Sequence, residues 1–592
     1  MNLFPTTAGT QLEFHKIQDL LAEHCEGEYA KDRAANLEIH TTFAVIDREL
    51  RQSFEFRQLL ESSVYFPGDL VLNIAGDLKL LGIPGAVVAG EQFVDIRKLA
   101  ETIEKIFRWF DTERRTGYPA LFSIIGPSRY EKKIIELIDE VVDDSGQVKD
   151  TASPELRSLR VRLFKARSEL RRMFERVVSR LNKQGYLAEI EESFMNGRKV
   201  VAVVAEQKRM IKGILHGESD TRRTAFIEPE ETIGLNNEIV SLENDERKEV
   251  YRILKELTGR LSVFQPLLVS WHQITGEYDF IRGKGRLAIH MKGEFPQVND
   301  RSGIGLVDAM HPLLYLHNKR QDKRTIPLTL TLTADHRILV ISGPNAGGKT
   351  VAMKTVGLLQ MMVQAGLLVP VNPSSQFGVF RQLMIHIGDE QSIEFELSTY
   401  SSHLLHMKHF IEHANGRTLF FIDELGSGSD PNLGGAFAEV ILEELTAKHA
   451  YGIVTTHYLN LKVMANKTPG IVNGAMAFDE GKLVPLYRLI VGKPGSSYTF
   501  SIAERIGMRK ELIDRARKLV DDEHFQLDKL LNTAEQDLQK VQSRERELQQ
   551  LLGENARLKK ELQDTINREK HEQQLAVLKE QNRLSEERIT YL

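Results

Sequence analysis

The chain has 592 residues, 41% of them hydrophobic and 27% charged, with a net charge of −5 and a single cysteine. That length exceeds what one hydrophobic core serves, so several domains are required, and Cys25 alone excludes intramolecular disulfides and cysteine-built zinc clusters. The charge carries no global sign of polyanion binding, no long uncharged apolar run is present, and the first five residues lack the basic start of a signal peptide. A cytoplasmic protein with no membrane partner is expected, with any polyanion contact confined to a local patch.

Residues 1–150 read as an N-terminal helical core: Phe14, Ile17, Leu20 and Leu21 recur at helical spacing, with interruptions near Gly82-Ile-Pro-Gly85 and Gly117-Tyr-Pro119. Cys25 reads as packing, and this part has no catalytic signature. From Ser153-Pro154 a long helical pattern aligns Leu156, Leu159, Leu163, Leu170, Phe174, Val177 and Leu181 on one stripe. Its other face carries Arg157, Arg160, Arg162, Lys165, Arg167, Arg171, Arg172, Arg176 and Arg180, either a solvated surface or a polyanion contact.

The period then changes to two at Lys199–Val204 and Met210–Leu215, followed by a turn-like stretch from Gly217 to Ile227. After Pro229 the helical pattern returns through Leu235, Ile239, Leu242, Val250, Ile253, Leu254 and Leu257. A small β-module, 191–229, is therefore expected at the tip of a hairpin built from 151–190 and 230–295. Arg222 and Arg223 fall in its turn, where they are either merely solvated or free to meet phosphates.

Residues 296–520 alternate strand and helix as an α/β nucleotide-binding domain does. Residues 521–592 hold almost no Gly or Pro and repeat Leu531, Ala534, Leu538, Val541, Leu548 and Leu552, which reads as a coiled coil against the alternative of a lone amphipathic helix.

The apolar strand Ile338–Ile341 runs into Gly343-Pro344-Asn345-Ala346-Gly347-Gly348-Lys349-Thr350, which fits G-x-x-x-x-G-K-[ST]. In that motif backbone N–H groups cradle phosphates, the lysine reaches the β/γ-phosphates and the hydroxyl holds Mg²⁺. Thr418–Ile422 followed by Asp423 and Glu424 is a Walker B strand: Asp423 is the metal carboxylate and Glu424 the general base for water. Gly452–His457 is a third strand, whose histidine is either packed or a sensor of the γ-phosphate. Between these lies a polar segment in which Asp389 and Gln391 are candidates for metal or water, and Ser398 and Thr399 for phosphate donors or for a helix cap.

Ser342–Thr350, Ile387–Ile393, Leu397–His403, Asp423–Pro431 and Thr455–Tyr458 together resemble the MutS family, and most closely its second bacterial paralogue group. Glu13-Phe14, Asn196-Gly-Arg198, Phe226-Ile-Glu-Pro229, Asn236-Asn237, His311-Pro-Leu-Leu314 and Tyr487-Arg-Leu-Ile490 extend the match across residues 10–520. The resemblance implies a multidomain α and α/β architecture: a helical core and lever, an inserted β-rich clamp, an ABC-type P-loop ATPase domain that works as a homodimer, and a coiled coil. It implies Mg²⁺-dependent ATP hydrolysis coupled to closure on branched or structured DNA, with collided ribosomes and their RNA as the other target class. It favours Arg222 and Arg223 as phosphate contacts, and it places Ser398 against the partner's nucleotide, beside Asp430.

The sequence departs from the family pattern at Ser219–Thr224, at Ser429, where threonine is usual, and at Asn432-Leu433. Neither the mismatch-reading domain nor the Smr nuclease is recognisable in the sequence, so neither activity is expected of it. The rival reading is an interaction protein whose ATPase is a switch and whose coiled coil recruits an effector.

Overall fold

The computed structural model describes residues 1–519 except 70, 345–346, 389–398, 428–429, 480–483, 496–502 and 505, together with scattered helical, exposed residues between 541 and 579. Most of the expected coiled coil therefore lies outside the described residues. Among those described, no helix is long and apolar enough to cross a membrane.

The N-terminal part is helical where the apolar spacing predicts. Its helices of eight residues or more are α1 (Phe14–Glu23), α2 (Glu28–Ala35), α3 (Phe43–Glu61), α4 (Gly90–Trp109) and α5 (Lys133–Val141). Ile17 and Leu21 of α1, Leu50 and Phe56 of α3, and Phe93, Ile96 and Ile103 of α4 are buried together. Each such side chain contributes about 1.5–3 kcal/mol. One element departs from the helical reading of this region: β1 (Asn2–Phe4) joins a sheet built from the other end of the chain, in register Asn2↔Gln382.

Helix α6 (Pro154–Lys183) starts where proline suits the first turn and where the Ser153 hydroxyl accepts from Leu156 N at 3.0 Å. Helix α7 (Glu230–Ser262) returns alongside it, burying Leu159, Leu163, Ala166 and Leu170 of α6 against Ile239 and Leu242. Arg160–Glu246, Arg167–Glu243 and Arg180–Glu231 ion pairs lace the seam. Helix α8 (Gln265–Met291) then carries the chain back into the helical core.

Between α6 and α7 stands a four-stranded antiparallel sheet in the order β2-β3-β5-β4: β2 (Leu187–Met195), β3 (Arg198–Val204), β4 (Gly213–Glu218) and β5 (Thr224–Pro229). Val201, Val203, Ala225 and Ile227 cover Phe174, Val177 and Leu181 at the end of α6. The sequence reading missed β2, in which Glu189, Glu191 and Glu192 dilute the apolar alternation that marks a strand.

Downstream, a small sheet has the order β6-β10-β7-β8, from β6 (Gln297–Asn299), β7 (Ile304–Ala309), β8 (Leu328–Leu332) and β10 (Gln376–Gly378). The main sheet has seven strands, β1-β11-β12-β13-β9-β14-β15. They comprise β9 (His336–Ser342), β11 (Gln382–His386), β12 (Thr418–Ile422), β13 (Tyr451–Thr455), β14 (Gly470–Asp479) and an antiparallel edge, β15 (Val484–Val491). Its central strands are continuous apolar runs because helices cover both faces. Helices α9 (Lys349–Gln364), α10 (Thr399–His413), α11 (Pro431–Ala447) and α12 (Leu459–Lys467) connect them.

The far end of α9 is locked into the helical core. Lys284 of α8 donates to the Ala365 carbonyl at 3.0 Å and to Glu49 at 2.8 Å, and the Ser53 hydroxyl donates to the Gly366 carbonyl at 2.7 Å. Burial alone would raise the Glu49 carboxyl, but Lys284 and His40 outweigh it and hold the group at about 2.

Candidate functional site

Strand order decides what meets at the ends of the strands. The glycine-rich loop follows β9 and the acidic pair follows β12, while β13 lies between them, paired with both. A side chain at the end of β13 therefore faces the glycine-rich loop on one side and the carboxylates on the other.

Gly343 and Gly348 have φ of 126° and 89°, the left-handed side of the map that lets N–H groups turn inward. A Cβ on Gly347 would stand 3.1 Å from Met476 Cβ, so the loop is built against β14 with no room for a side chain. Pro344 is described and its carbonyl accepts from Gly347 N at 3.0 Å, whereas Asn345 and Ala346 lie outside the described residues.

Lys349 is the first residue of α9 and is buried. It donates to the Gly343 carbonyl at 2.7 Å and lies 3.1 Å from His457 Nε2. Burial pushes its ammonium down to about 8, partly countered by Glu424 and Asp423. His457 sits two residues past β13; burial, then Lys349 and Lys462, lower its pKa, and its Nε2 is 3.8 Å from Glu424 Oε1.

The half-buried Asp423 is the hub. Its carboxylate accepts from Thr350 Oγ1 at 2.8 Å and from Thr455 Oγ1, while Thr455 Oγ1 also accepts from Glu424 N at 2.8 Å. Glu424 has φ of 50°, a left-handed turn directly after the strand that leaves its carboxylate exposed. Asp423 N donates to the His386 carbonyl at 2.8 Å, and the His386 ring is in turn bonded to His403 at 2.7 Å and His406 at 2.8 Å. Burial lowers His386 to about 3 and His403 to about 4, so these two rings are uncharged at neutral pH.

The structure thus brings together Gly343, Gly347, Gly348, Lys349, Thr350, Asp423, Glu424 and His457. Asp389, Gln391 and Ser398 lie outside the described residues, and Thr399 is the first residue of α10. Asp430 caps α11, accepting from Asn432 N at 3.0 Å and Leu433 N at 3.2 Å.

Two neighbours of the site are carried in the sequence only as part of the family resemblance, without a role. Thr455 reads only as the end of a strand until the strand order is known. Tyr487, with φ of 52° and an exposed ring, lies over the cradle, so that a Cβ on Gly348 would be 3.3 Å from its Cδ1. Along the same strand a groove of about 570 Å³ is lined by Ile326, Thr329, Thr331, Arg488 and Ile490.

At the β-module, Arg222 and Arg223 are exposed on the turn between β4 and β5, with Arg222 in the left-handed region at φ of 52° and its N–H donating to the Ser219 carbonyl at 2.7 Å. Behind them Glu228 is fully buried. It accepts from Arg198, from His216 and from Asn236, each at 2.8 Å. Burial would raise this carboxyl, but the hydrogen bonds from His216, Asn236 and Arg198 bring it below its ordinary value. The motif residues around 196–198, 226–229 and 236–237 thus converge on one buried carboxylate at the root of the module.

The family model for MutS domain V matches residues 339–523, a span that includes the cradle, the acidic pair and β13. The chain is 34% identical over 552 residues to a protein named endonuclease MutS2 from Pelotomaculum thermopropionicum, covering 93% of this chain and 69% of that one. The like-named protein of Thermomicrobium roseum is 35% identical over 551 residues, with 90% and 68% covered. That of Geobacillus thermodenitrificans is 32% identical over 569 residues, with 95% and 72% covered.

Proposed function

Because the chain belongs to the MutS2 family, we propose that it hydrolyses ATP and couples the nucleotide cycle to gripping branched or structured nucleic acid between the lever hairpins of a homodimer. The observation that carries the reading is the convergence on Asp423: hydroxyls from the cradle helix and from β13 meet one carboxylate, and the Lys349 ammonium acts on it from nearby. Hydroxyl partners orient such a carboxylate toward a cation. Thr350 and Asp423 would hold Mg²⁺, which when bound would supply positive charge beside the phosphates. Lys349 gives up contacts to Gly343 and His457 in favour of phosphate oxygens, and its position at the start of α9 adds the helix's positive end. Glu424 takes the proton from water, with His457 holding that water in line. Tyr487 offers its ring to the nucleobase, next to the groove along β15.

Leu433, Phe437 and Val440 form an exposed apolar stripe on α11, a surface of the kind a second subunit covers, which supports the dimer. Ser398 of one subunit then serves the nucleotide of the other. The exposed Arg222 and Arg223 support contact with phosphates at the module tip. The reading is tested by measuring ATP turnover with and without branched DNA or ribosomes. Loss of turnover in Lys349→Ala, together with nucleotide-dependent binding to one of the two targets, is the expected result. Turnover that survives Lys349→Ala overturns it.

A further inference from the structure

The two helices of the lever hairpin have opposite electrical character. Helix α6 carries ten Lys and Arg against three Glu, whereas α7 carries eight Asp and Glu against five Lys and Arg. Three of the α6 cations, Arg160, Arg167 and Arg180, are taken up by α7 carboxylates along the seam, and Arg160 also pairs with Asp150. The other seven are Arg157, Arg162, Lys165, Arg171, Arg172, Arg176 and Lys183. All are exposed, and none has an acidic partner within 4.0 Å among the described residues.

At 100° per residue Arg157, Lys165, Arg172, Arg176 and Lys183 lie on the side of α6 turned away from its buried leucine stripe, with Arg162 and Arg171 on the two flanks and Phe164 standing 74% exposed among them. At 1.5 Å per residue they extend over about 39 Å, roughly one turn of a nucleic-acid duplex. The β-module beyond them is balanced, with seven cations and seven anions between residues 187 and 229. The strong positive field is therefore on the shaft and not at the tip.

We propose that the outward face of α6 is a phosphate track, on which the backbone of a nucleic-acid duplex lies along the lever and continues from the contact at the module tip. This rests on the nucleic-acid reading above and adds to it where most of the binding charge resides. The chemistry recognised is a regular row of phosphates, which a duplex of DNA or RNA presents. Charge complementarity and length select it over an acidic protein segment, whose charges lack such a repeat.

The test replaces Arg157, Arg162, Lys165, Arg171, Arg172 and Arg176 by glutamine in the full chain, a change that keeps helix propensity. Because the six side chains are solvated, the melting temperature is expected to stay at the unmodified value. Binding to 30-base-pair duplex DNA and duplex RNA is followed from 50 to 200 mM salt. Each lost phosphate contact removes about 0.9 from the log–log slope, so a slope shallower by three to five and an affinity about 10²–10³-fold lower at 200 mM are expected. The duplex with the higher affinity identifies the source of the phosphates.

If the six-site variant is unstable, the triplets Arg157→Gln/Arg162→Gln/Lys165→Gln and Arg171→Gln/Arg172→Gln/Arg176→Gln are measured separately, and each should account for about half of the change. A steep slope in the unmodified protein that is unaltered in the variants, yet reduced by Arg222→Ala/Arg223→Ala, overturns the track and leaves the tip contact standing. Absence of duplex binding by the unmodified protein at every salt concentration overturns the nucleic-acid reading itself. Equal affinity for polyglutamate and for duplex overturns the assignment of phosphates as the ligand.

Discussion

Asp423 and Glu228 are two carboxylates anchored by hydrogen bonds, and they are held in opposite ways. Glu228 is fully buried, with Arg198, His216 and Asn236 around it, so its charge is already answered and its role is to tie β3, β4 and α7 into one root. Asp423 is half-buried and accepts from two hydroxyls, which orient it without neutralising it. The difference lies in the partners: a guanidinium answers the Glu228 charge, whereas hydroxyls only orient Asp423, and burial alone does not separate the two.

The sharpest way to break this distinction is at the cradle. Glu424→Gln should slow ATP turnover by about 10²–10⁴-fold while nucleotide stays bound, and Asp423→Asn should lose turnover on a similar scale with little change in melting temperature. Steady-state hydrolysis beside a binding assay checks both, and unmodified turnover in Glu424→Gln removes its role as base.

Glu228→Gln should do the reverse. It leaves Arg198 facing a neutral group at a partly closed site, at a cost of about 2–3 kcal/mol in unfolding free energy, with turnover per folded molecule preserved. The pH dependence has a defined sign. The folded carboxyl is below its ordinary 4.5, so this contribution is present above that value and is lost as the pH falls through the folded pKa. Denaturant unfolding at pH 7 and in acid, for both proteins, measures it.

The comparison sharpens further at Lys349. Its ammonium, at about 8 in the free protein, is raised when phosphates surround it, so ATP binding takes up a proton near and above that pH. ATP affinity should fall by up to about tenfold per pH unit above about 8 and be flat below. Titration calorimetry in buffers of different ionisation heat reads the proton directly, and a flat affinity up to pH 10 rejects the assignment.

The smallest expected effect is at the module tip. Arg222→Ala/Arg223→Ala should make the salt dependence of nucleic-acid binding shallower by about two units at most, with the Glu228 root and the fold intact. An unchanged slope returns both residues to ordinary solvated surface.

The sequence by itself determined the local elements and the chemistry each one carries. The leucine stripe of α6, the apolar runs of β9 and β12, the glycine cradle and the adjacent Asp423 and Glu424 are all dictated by contiguous residues, because helix period, strand burial and loop conformation are properties of neighbours in the chain. Only the tertiary structure decided which of them meet. The insertion of β13 between β9 and β12 makes Thr455 a partner of Asp423 and sets His457 beside Lys349, although more than a hundred residues separate those last two in the chain. A three-residue segment at the N-terminus becomes a strand of the main sheet only because β11 offers a free edge, for three residues hold no period that reasoning can read. The ion pairs that occupy three α6 arginines and leave five arginines and two lysines unpaired among the described residues depend on the side on which α7 packs, which a helical pattern does not specify. Pairing across long sequence separations is settled by strand order and helix contact, and these arise from the competition of whole surfaces for burial, not from any one stretch of residues.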